Sequence, residues 1–252
     1  SSLVSKRDLT FVVSDLQVPF HDDKFVGAMA RCIDDNAKRI RNVITIGDEQ
    51  DFQTISRWAQ GTALEWEKSI GRDRDTTVDV LKRLRVTDSI RSNHTDRLWQ
   101  QTTRRMPGLI GLPELELENF WRLPDLGITF HPHGFQFAKD WIALHGDESG
   151  ISQIAGMTSK NLVLKTGLNV VNGHTHRLGL VPTTYSVHGK VTRTLIGMEV
   201  GHAMDLRRAS YVKTRNGQQG WGAFRHEGNV SHPILMPVVK RSFTFEGTVY
   251  TW

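Results

Sequence analysis

The run Asn169-Val170-Val171-Asn172 is short, apolar at its centre, and leads straight into Gly173-His174-Thr175-His176. A buried strand that stops at the glycine sends two imidazoles, one residue apart, off its tip on the same side. Both can reach a metal ion if other ligands converge there. Four upstream segments end in the same way. Phe11-Val12-Val13-Ser14 leads into Asp15-Leu16-Gln17, and Val43-Ile44-Thr45-Ile46 into Gly47-Asp48-Glu49-Gln50-Asp51. Ser89-Ile90-Arg91-Ser92 leads into Asn93-His94, and Trp141-Ile142-Ala143-Leu144 into His145-Gly146-Asp147. In an open α/β sheet the C-terminal strand ends line one crevice, so the fold would gather these residues. Carboxylates from Asp15 and Asp48, carboxamides from Gln17 and Asn93, and imidazoles from His145, His174 and His176 make a large donor set. One cation is saturated by roughly four to six such groups, so this set suits two divalent cations better than one.

Those tips require a scaffold of alternating strands and helices. The first half reads that way: a strand over 9–15, a helix over 23–38, a strand over 42–48, a polar helical region over 62–86 and a strand over 88–93. Residues 95–105 read as helical, and the Pro- and Gly-bearing stretch 107–127 as an irregular insertion with a short helix around 115–121. Residues 128–131 and 135–144 read as a hairpin turning at Pro132-His133-Gly134. A helix over 151–160 and the strand ending at Gly173 complete the unit. Beyond residue 180 the pattern becomes strands: 181–186, 190–196, 221–226, 233–239 and 243–250. The expected architecture is a single domain over 1–252, a four-layer α/β/β/α sandwich of two mixed β-sheets flanked by helices.

The chain of 252 residues can bury a substantial core, and it has no apolar tract long enough to span a bilayer. The opening Ser1-Ser2-Leu3-Val4-Ser5-Lys6-Arg7 lacks the apolar stretch of a secretory signal. The single cysteine, Cys32, excludes an internal disulfide and falls on the apolar stripe Val26, Met29, Ala30, Ile33 of a helix, where a small buried hydrophobe is expected. These features predict a cytoplasmic protein without a membrane partner. The net charge of +5 gives a mild bias toward anionic partners. Local basic groups stand at Arg72/Arg74, Lys82/Arg83/Arg85, Arg104/Arg105 and Arg207/Arg208/Lys213/Arg215, and solvated faces explain most of them. Trp58, Trp66, Trp99 and Trp121 read as core or helix-packing residues by default; one left exposed beside the crevice could stack on a base.

The five clusters, in this order, resemble the calcineurin-like binuclear metallophosphoesterases. The pattern is carried by Asp15-x-Gln17, Gly47-Asp48-x-x-Asp51, Asn93-His94, His145 and Gly173-His174-x-His176, spanning residues 11–176. The resemblance implies that Asp15, Gln17, Asp48 and His176 hold one metal and that Asp48, Asn93, His145 and His174 hold the other, with Asp48 bridging. It implies hydrolysis of a phosphoester by a hydroxide shared between the metals, with His94 assisting the leaving oxygen. Asp51 is expected to partner a histidine rather than bind metal.

The chain departs from that pattern at three places. Gln17 stands where a histidine is usual, and its harder oxygen favours Mn²⁺ or Mg²⁺ over Zn²⁺, with Mn²⁺ foremost and Fe²⁺ or Ni²⁺ as further candidates. Ser92 replaces a glycine, and Thr95 replaces an acidic residue, so Asp96 is the expected partner for His94. The Asp-x-Gln form and Val18-Pro19-Phe20-His21-Asp22 resemble phage and bacterial members, which would place the protein in a host cytoplasm. His21 is a candidate contact for substrate phosphate or a turn residue. Gly201-His202-Ala203-Met204-Asp205 and Gln218-Gln219-Gly220-Trp221-Gly222 also look phage-like, and His202 is read as a pocket-rim or substrate-side residue. His131 and His133 read as structural or exposed.

The leading expectation is therefore a phosphodiesterase acting on nucleotides or nucleic acid, a nuclease included. The alternatives are a phosphomonoesterase or protein Ser/Thr phosphatase, and a non-catalytic scaffold. Oligomeric state is not legible.

Overall fold

The computed structural model describes residues 7–209 and 216–252; Ser1 to Lys6 and the predicted basic residues Lys213 and Arg215 lie outside them. In chain order the elements are β1 (Leu9–Val13), α1 (Asp23–Asp35), β2 (Ile40–Thr45), α2 (Ile70–Arg83), β3 (Asp88–Ile90), α3 (Asp96–Arg105), α4 (Leu117–Phe120) and β4 (Thr129–His131). There follow β5 (Phe135–Ala138), β6 (Trp141–Leu144), α5 (Met157–Thr166), β7 (Asn169–Asn172), β8 (Leu178–Val187) and β9 (Lys190–Val200). The chain ends in β10 (Gly220–Glu227), β11 (Val230–Pro237), β12 (Ser242–Phe245) and β13 (Thr248–Thr251).

Two mixed sheets carry the fold. One has six strands in the order β11-β10-β1-β2-β3-β4, the other five in the order β5-β6-β7-β9-β8. Strands β1 to β4 are mutually parallel, as are β6, β7 and β9, so their C-terminal ends form two rows of tips.

Side-chain alternation along the strands builds three apolar cores and hence four layers. Leu9, Phe11 and Val13 of β1 face Phe25, Val26, Met29 and Ile33 of α1 in the first core. Val12 turns the other way and meets Ile44, Trp141, Ala143, Val171 and Met198 between the sheets. Leu144 and Val170 point outward again, onto Leu162 and Val163 of α5. The order is helix, sheet, sheet, helix, as the sequence predicts. Side chains such as Phe11, which stacks on Trp221 with ring centroids 5.0 Å apart, contribute roughly 1.5–3 kcal/mol each through burial. The start of α1 is fixed by Asp22, whose carboxylate accepts from the amides of Lys24 and Phe25. Cys32 is buried on that helix, as expected.

Four predicted elements differ. The hairpin over 128–144 does not form: β4 pairs parallel with β3 in one sheet, and the chain then crosses at 132–134 to the other. The hairpin there is β5–β6, broken at Lys139-Asp140 because the Asp140 carbonyl is taken by the backbone and side chain of Asn169. The helix over 151–160 starts later, at Met157, since Gly156 adopts a left-handed conformation (φ 83°) and donates its amide to buried Glu199. The region 62–86 splits into a 3-10 turn (Ala63–Trp66) and α2. The last strand is a separate hairpin, β12–β13, folded at Glu246-Gly247, both at positive φ. Trp121 is buried, but Trp58, Trp66 and Trp99 are 72%, 81% and 61% exposed, contrary to the packing role expected of them. His131 is structural, bonded to Asp88 and stacked on Phe135, and His133 is exposed.

Candidate metal centre

The strand tips of both sheets meet at one place. Ile46 donates its amide to the Val13 carbonyl, Asp15 to Gly47, and Gly173 to His145, which locks neighbouring tips within each sheet. Two further bonds join the sheets: His145 Nδ1 lies 2.8 Å from the Ile46 carbonyl, and the His174 amide donates to Asp15 Oδ2 at 2.9 Å.

All seven donor residues of the sequence analysis come together at this junction. Asp15 Oδ1 lies 3.1 Å from His176 Nε2, and the Gln17 carboxamide lies 3.1 Å from the same nitrogen. His145 Nε2 faces Asp48 Oδ2 at 3.3 Å and Asn93 Oδ1 at 2.8 Å. Ligand atoms of Asp48, His145 and His174 all lie within 4.8 Å of one another.

The backbone supports the same reading. Asp15, Gln17, Asp48, His174 and His176 all have left-handed φ, between 45° and 67°. Such residues are a small minority away from glycine, and they cluster where a site over-determines its backbone. Each strand here ends in an abrupt turn that lifts its donor off the tip. The two glycines beside them have no room for a side chain. A Cβ on Gly47 would collide with Ser92 and His145, and one on Gly173 with Ser14 and with Asp15 Oδ2 at 2.6 Å.

Burial disfavours the charged form of Asp15, but the charge and hydrogen bond of His176 outweigh it and hold the carboxyl down at about 2. Burial likewise opposes Asp48, yet His145 and His94 keep it well below the usual carboxylate range. Burial and the charge of His145 lower His174. His145 is the opposite case: burial would lower it, but Asp48 and Asp15 push it up to about 10. Its Nδ1 hydrogen goes to a carbonyl, so Nε2 is the atom facing the Asp48 carboxylate and the Asn93 carboxamide, where a proton and a cation would compete for one position. Two buried carboxylates, three imidazoles and two carboxamides converging on a small space fit a pair of divalent cations.

His94 stands beside this cluster. Its amide donates to Asp48 Oδ1 at 3.1 Å, its Nδ1 faces the Asp51 carbonyl at 3.2 Å and carboxylate at 3.4 Å, and its Nε2 lies 3.9 Å from Asp48 Oδ2. The expected partner, Asp96, is not the one used: it pairs with Arg91, which also holds Asp147. Asp51 takes the place of the acidic residue missing at Thr95, whose hydroxyl instead braces Ser92. Sequence reasoning missed Arg97, whose guanidinium lies 3.2 Å from His94 Nε2 and 2.6 Å from the Asp51 carbonyl. Its position in the first turn of the helix that follows His94 was the available signal. Ser14 and Ser92 were also missed; they bond the Asp15 carboxylate and the Asp48 amide.

His202 packs against His176 with ring centroids 5.8 Å apart, and its Nδ1 accepts from the Met204 amide. That bond puts its hydrogen on Nε2 and removes it from the ligand set. His21 faces Asp23 at 3.8 Å, with its backbone bridged to Met204, rather than any of the seven donors.

Over 98% of its length the chain is 33% identical to the Gene 54 protein of Mycobacterium phage D29, covering 99% of that protein. It belongs to this phage Gene 54 family. The Gene 54 protein of Mycobacterium phage L5 is 31% identical over the same share of each chain. No protein-family model matches. Among solved structures, the Zn²⁺ complex of Vps29 from Entamoeba histolytica aligns over 96% of this chain and 95% of its own, at 13% identity and TM-score 0.45. A predicted phosphoesterase from Streptococcus pneumoniae aligns over 94% and 86%, at 12% identity and TM-score 0.34. Likenesses of that degree are too loose to carry the fold assignment, which rests on the strand order and the three cores.

Proposed function

We propose that this protein is a binuclear metallophosphoesterase and that it cleaves phosphodiesters of nucleotides or nucleic acid. The observation that carries the reading is the meeting of seven donors from five strand ends of two sheets, most of them on left-handed backbone. In this reading Asp15, Gln17, Asp48 and His176 would hold one cation and Asn93, His145 and His174 the other, with Asp48 within reach of both. The cations, Mn²⁺ foremost, supply Lewis acidity toward the phosphoryl oxygens and an acidified water when bound.

The remaining steps belong to the chain's own residues. Asp51 fixes His94 through Nδ1, so Nε2 is the nitrogen that faces the leaving oxygen and delivers its proton. Arg97 donates to that nitrogen at 3.2 Å, and Nε2 can take up and deliver a proton only when this guanidinium turns to a phosphoryl oxygen instead. The net charge of +5 and membership of a phage gene family favour a nucleic-acid diester over a small monoester.

The test compares bis-p-nitrophenyl and mono-p-nitrophenyl phosphate with Mn²⁺, alongside elemental analysis. Two metals per chain and faster diester cleavage are expected. Preference for the monoester overturns the diesterase assignment, and a chain that binds no metal overturns the centre itself.

A further inference from the structure

Beside the proposed metal centre lies a cavity of ≈ 490 Å³ to which the reaction above gives no role. Its wall includes His202, Asp22, Asp205, Arg207, Lys240 and Arg241. Both carboxylates are already engaged. Asp22 caps α1 and also accepts from Gln219 at 2.9 Å, and Asp205 accepts from Arg207 at 3.1 and 3.2 Å. Lys240 and Arg241 are exposed and have no acidic partner among the described residues. Its wall sets Arg207, Lys240 and Arg241 against Asp22 and Asp205, an excess of one positive charge among the described residues.

The turn carrying those two residues is unusual. Reciprocal hydrogen bonds between Val239 and Ser242, at 2.8 and 3.0 Å, close a two-residue turn, with Lys240 at φ 48° and Arg241 at φ 58°. Two consecutive left-handed residues are the signature of a turn that prefers Asn-Gly or Gly-Gly. Such backbone is uncommon away from glycine, and here it carries two long cationic side chains at the cavity wall.

The inner end of the cavity supplies a third group. His202 is 1% exposed and its Nε2 has no partner among the described residues, while its Nδ1 is occupied by the Met204 amide. Nε2 is thus a buried donor without an acceptor, on a ring that also packs against His176 of the proposed centre. Two cations without an acidic partner and one orphaned N–H among the described residues, one ring away from the proposed centre, suit an oxyanion.

We propose that this cavity is a second phosphate subsite, which takes the phosphate next along a single-stranded nucleic acid from the one that reacts. The proposal rests on the function assigned above in that it presumes a reacting phosphoester at the metal centre. It makes the protein selective for substrates with two or more phosphates.

The experiment measures anisotropy of fluorescein-labelled d(T)10 with chelator-treated full-length protein, wild type against Lys240→Gln/Arg241→Gln. Loss of both contacts to this one phosphate is expected to weaken binding about tenfold or more and to lower the salt slope by about 0.7. With Mn²⁺ restored, kcat/KM for d(T)10 relative to bis-p-nitrophenyl phosphate should fall by a similar factor. Unchanged affinity and slope, no wild-type binding, or an equal fall for both substrates would overturn the subsite. If wild type cleaves neither substrate the hydrolase assignment fails, while the anisotropy result still decides the cavity.

Discussion

Replacing Asp51 by Asn tests the placement of His94. The two residues are linked by a carboxylate 3.4 Å from Nδ1, and the substitution keeps the shape and the backbone carbonyl contact at 3.2 Å. At that separation and an effective dielectric near 20, a full charge pair is worth about 5 kcal/mol. Arg97 sits 3.4 Å from the same carboxylate and opposes protonation of His94 once the anion is gone, but solvent at the site mouth screens all these terms. Allowing for half, we expect about 2–3 kcal/mol less stabilisation of the imidazolium, or a fall of about 30–160-fold in kcat. The pH profile gives the sharper readout. Burial lowers His94, yet Asp48 and Asp51 raise it above the ordinary histidine range. In the proposed mechanism a protonated His94 is the acid, so activity should be lost as pH rises through its pKa. Bound cations would neutralise Asp48 and leave Asp51 as the main support. Asp51→Asn should therefore move the alkaline limb down by about two pH units, with metal content unchanged by elemental analysis. An unmoved limb refutes the pairing, and lost metal shows that Asp51 supports the ligands instead.

Two further outcomes follow from contacts. Gly173→Ala puts a methyl into Ser14 and Asp15, so metal affinity should drop at least tenfold while circular dichroism stays native; full metal content would show that the tip can yield. His226 is buried between Thr10 and Ser231, and burial, together with Arg41, lowers it to about 4. An unfolded histidine binds a proton near 6.5, so stability is lost as pH falls from 6.5 toward 4, by about 2 kcal/mol at pH 5. Urea titrations at pH 7.5 and 5 should show that loss in wild type and not in His226→Gln; an equal loss in both refutes it.

The donor residues were readable because each is written next to the strand that carries it. An apolar run followed by Asp, Asn or His is a local pattern, and β-strand geometry converts it into a side chain at a tip. The cysteine on the stripe of α1 was readable for the same reason: helical periodicity alone assigns its side. The misread elements were those fixed by distant partners. Residues 128–144 look like one hairpin until β4 finds β3 and Asn169 claims the Asp140 carbonyl. The start of α5 depends on Glu199, more than forty residues away, receiving the amide of Gly156.

Pairing of His94 shows the same division within the site. By sequence Asp96 is its neighbour, two residues on, but α3 turns that carboxylate toward Arg91. Asp51, at the end of another strand, reaches it instead, and Arg97 enters from the next turn of the helix. The sequence by itself determined which donor residues stand at strand ends and which strands present them, since both follow from adjacent residues and a period of two. Tertiary structure alone decided which acid stands beside His94 and which imidazole is kept out of the donor set. Those depend on separation in space, and contacts between strands and loops are not encoded by spacing along the chain.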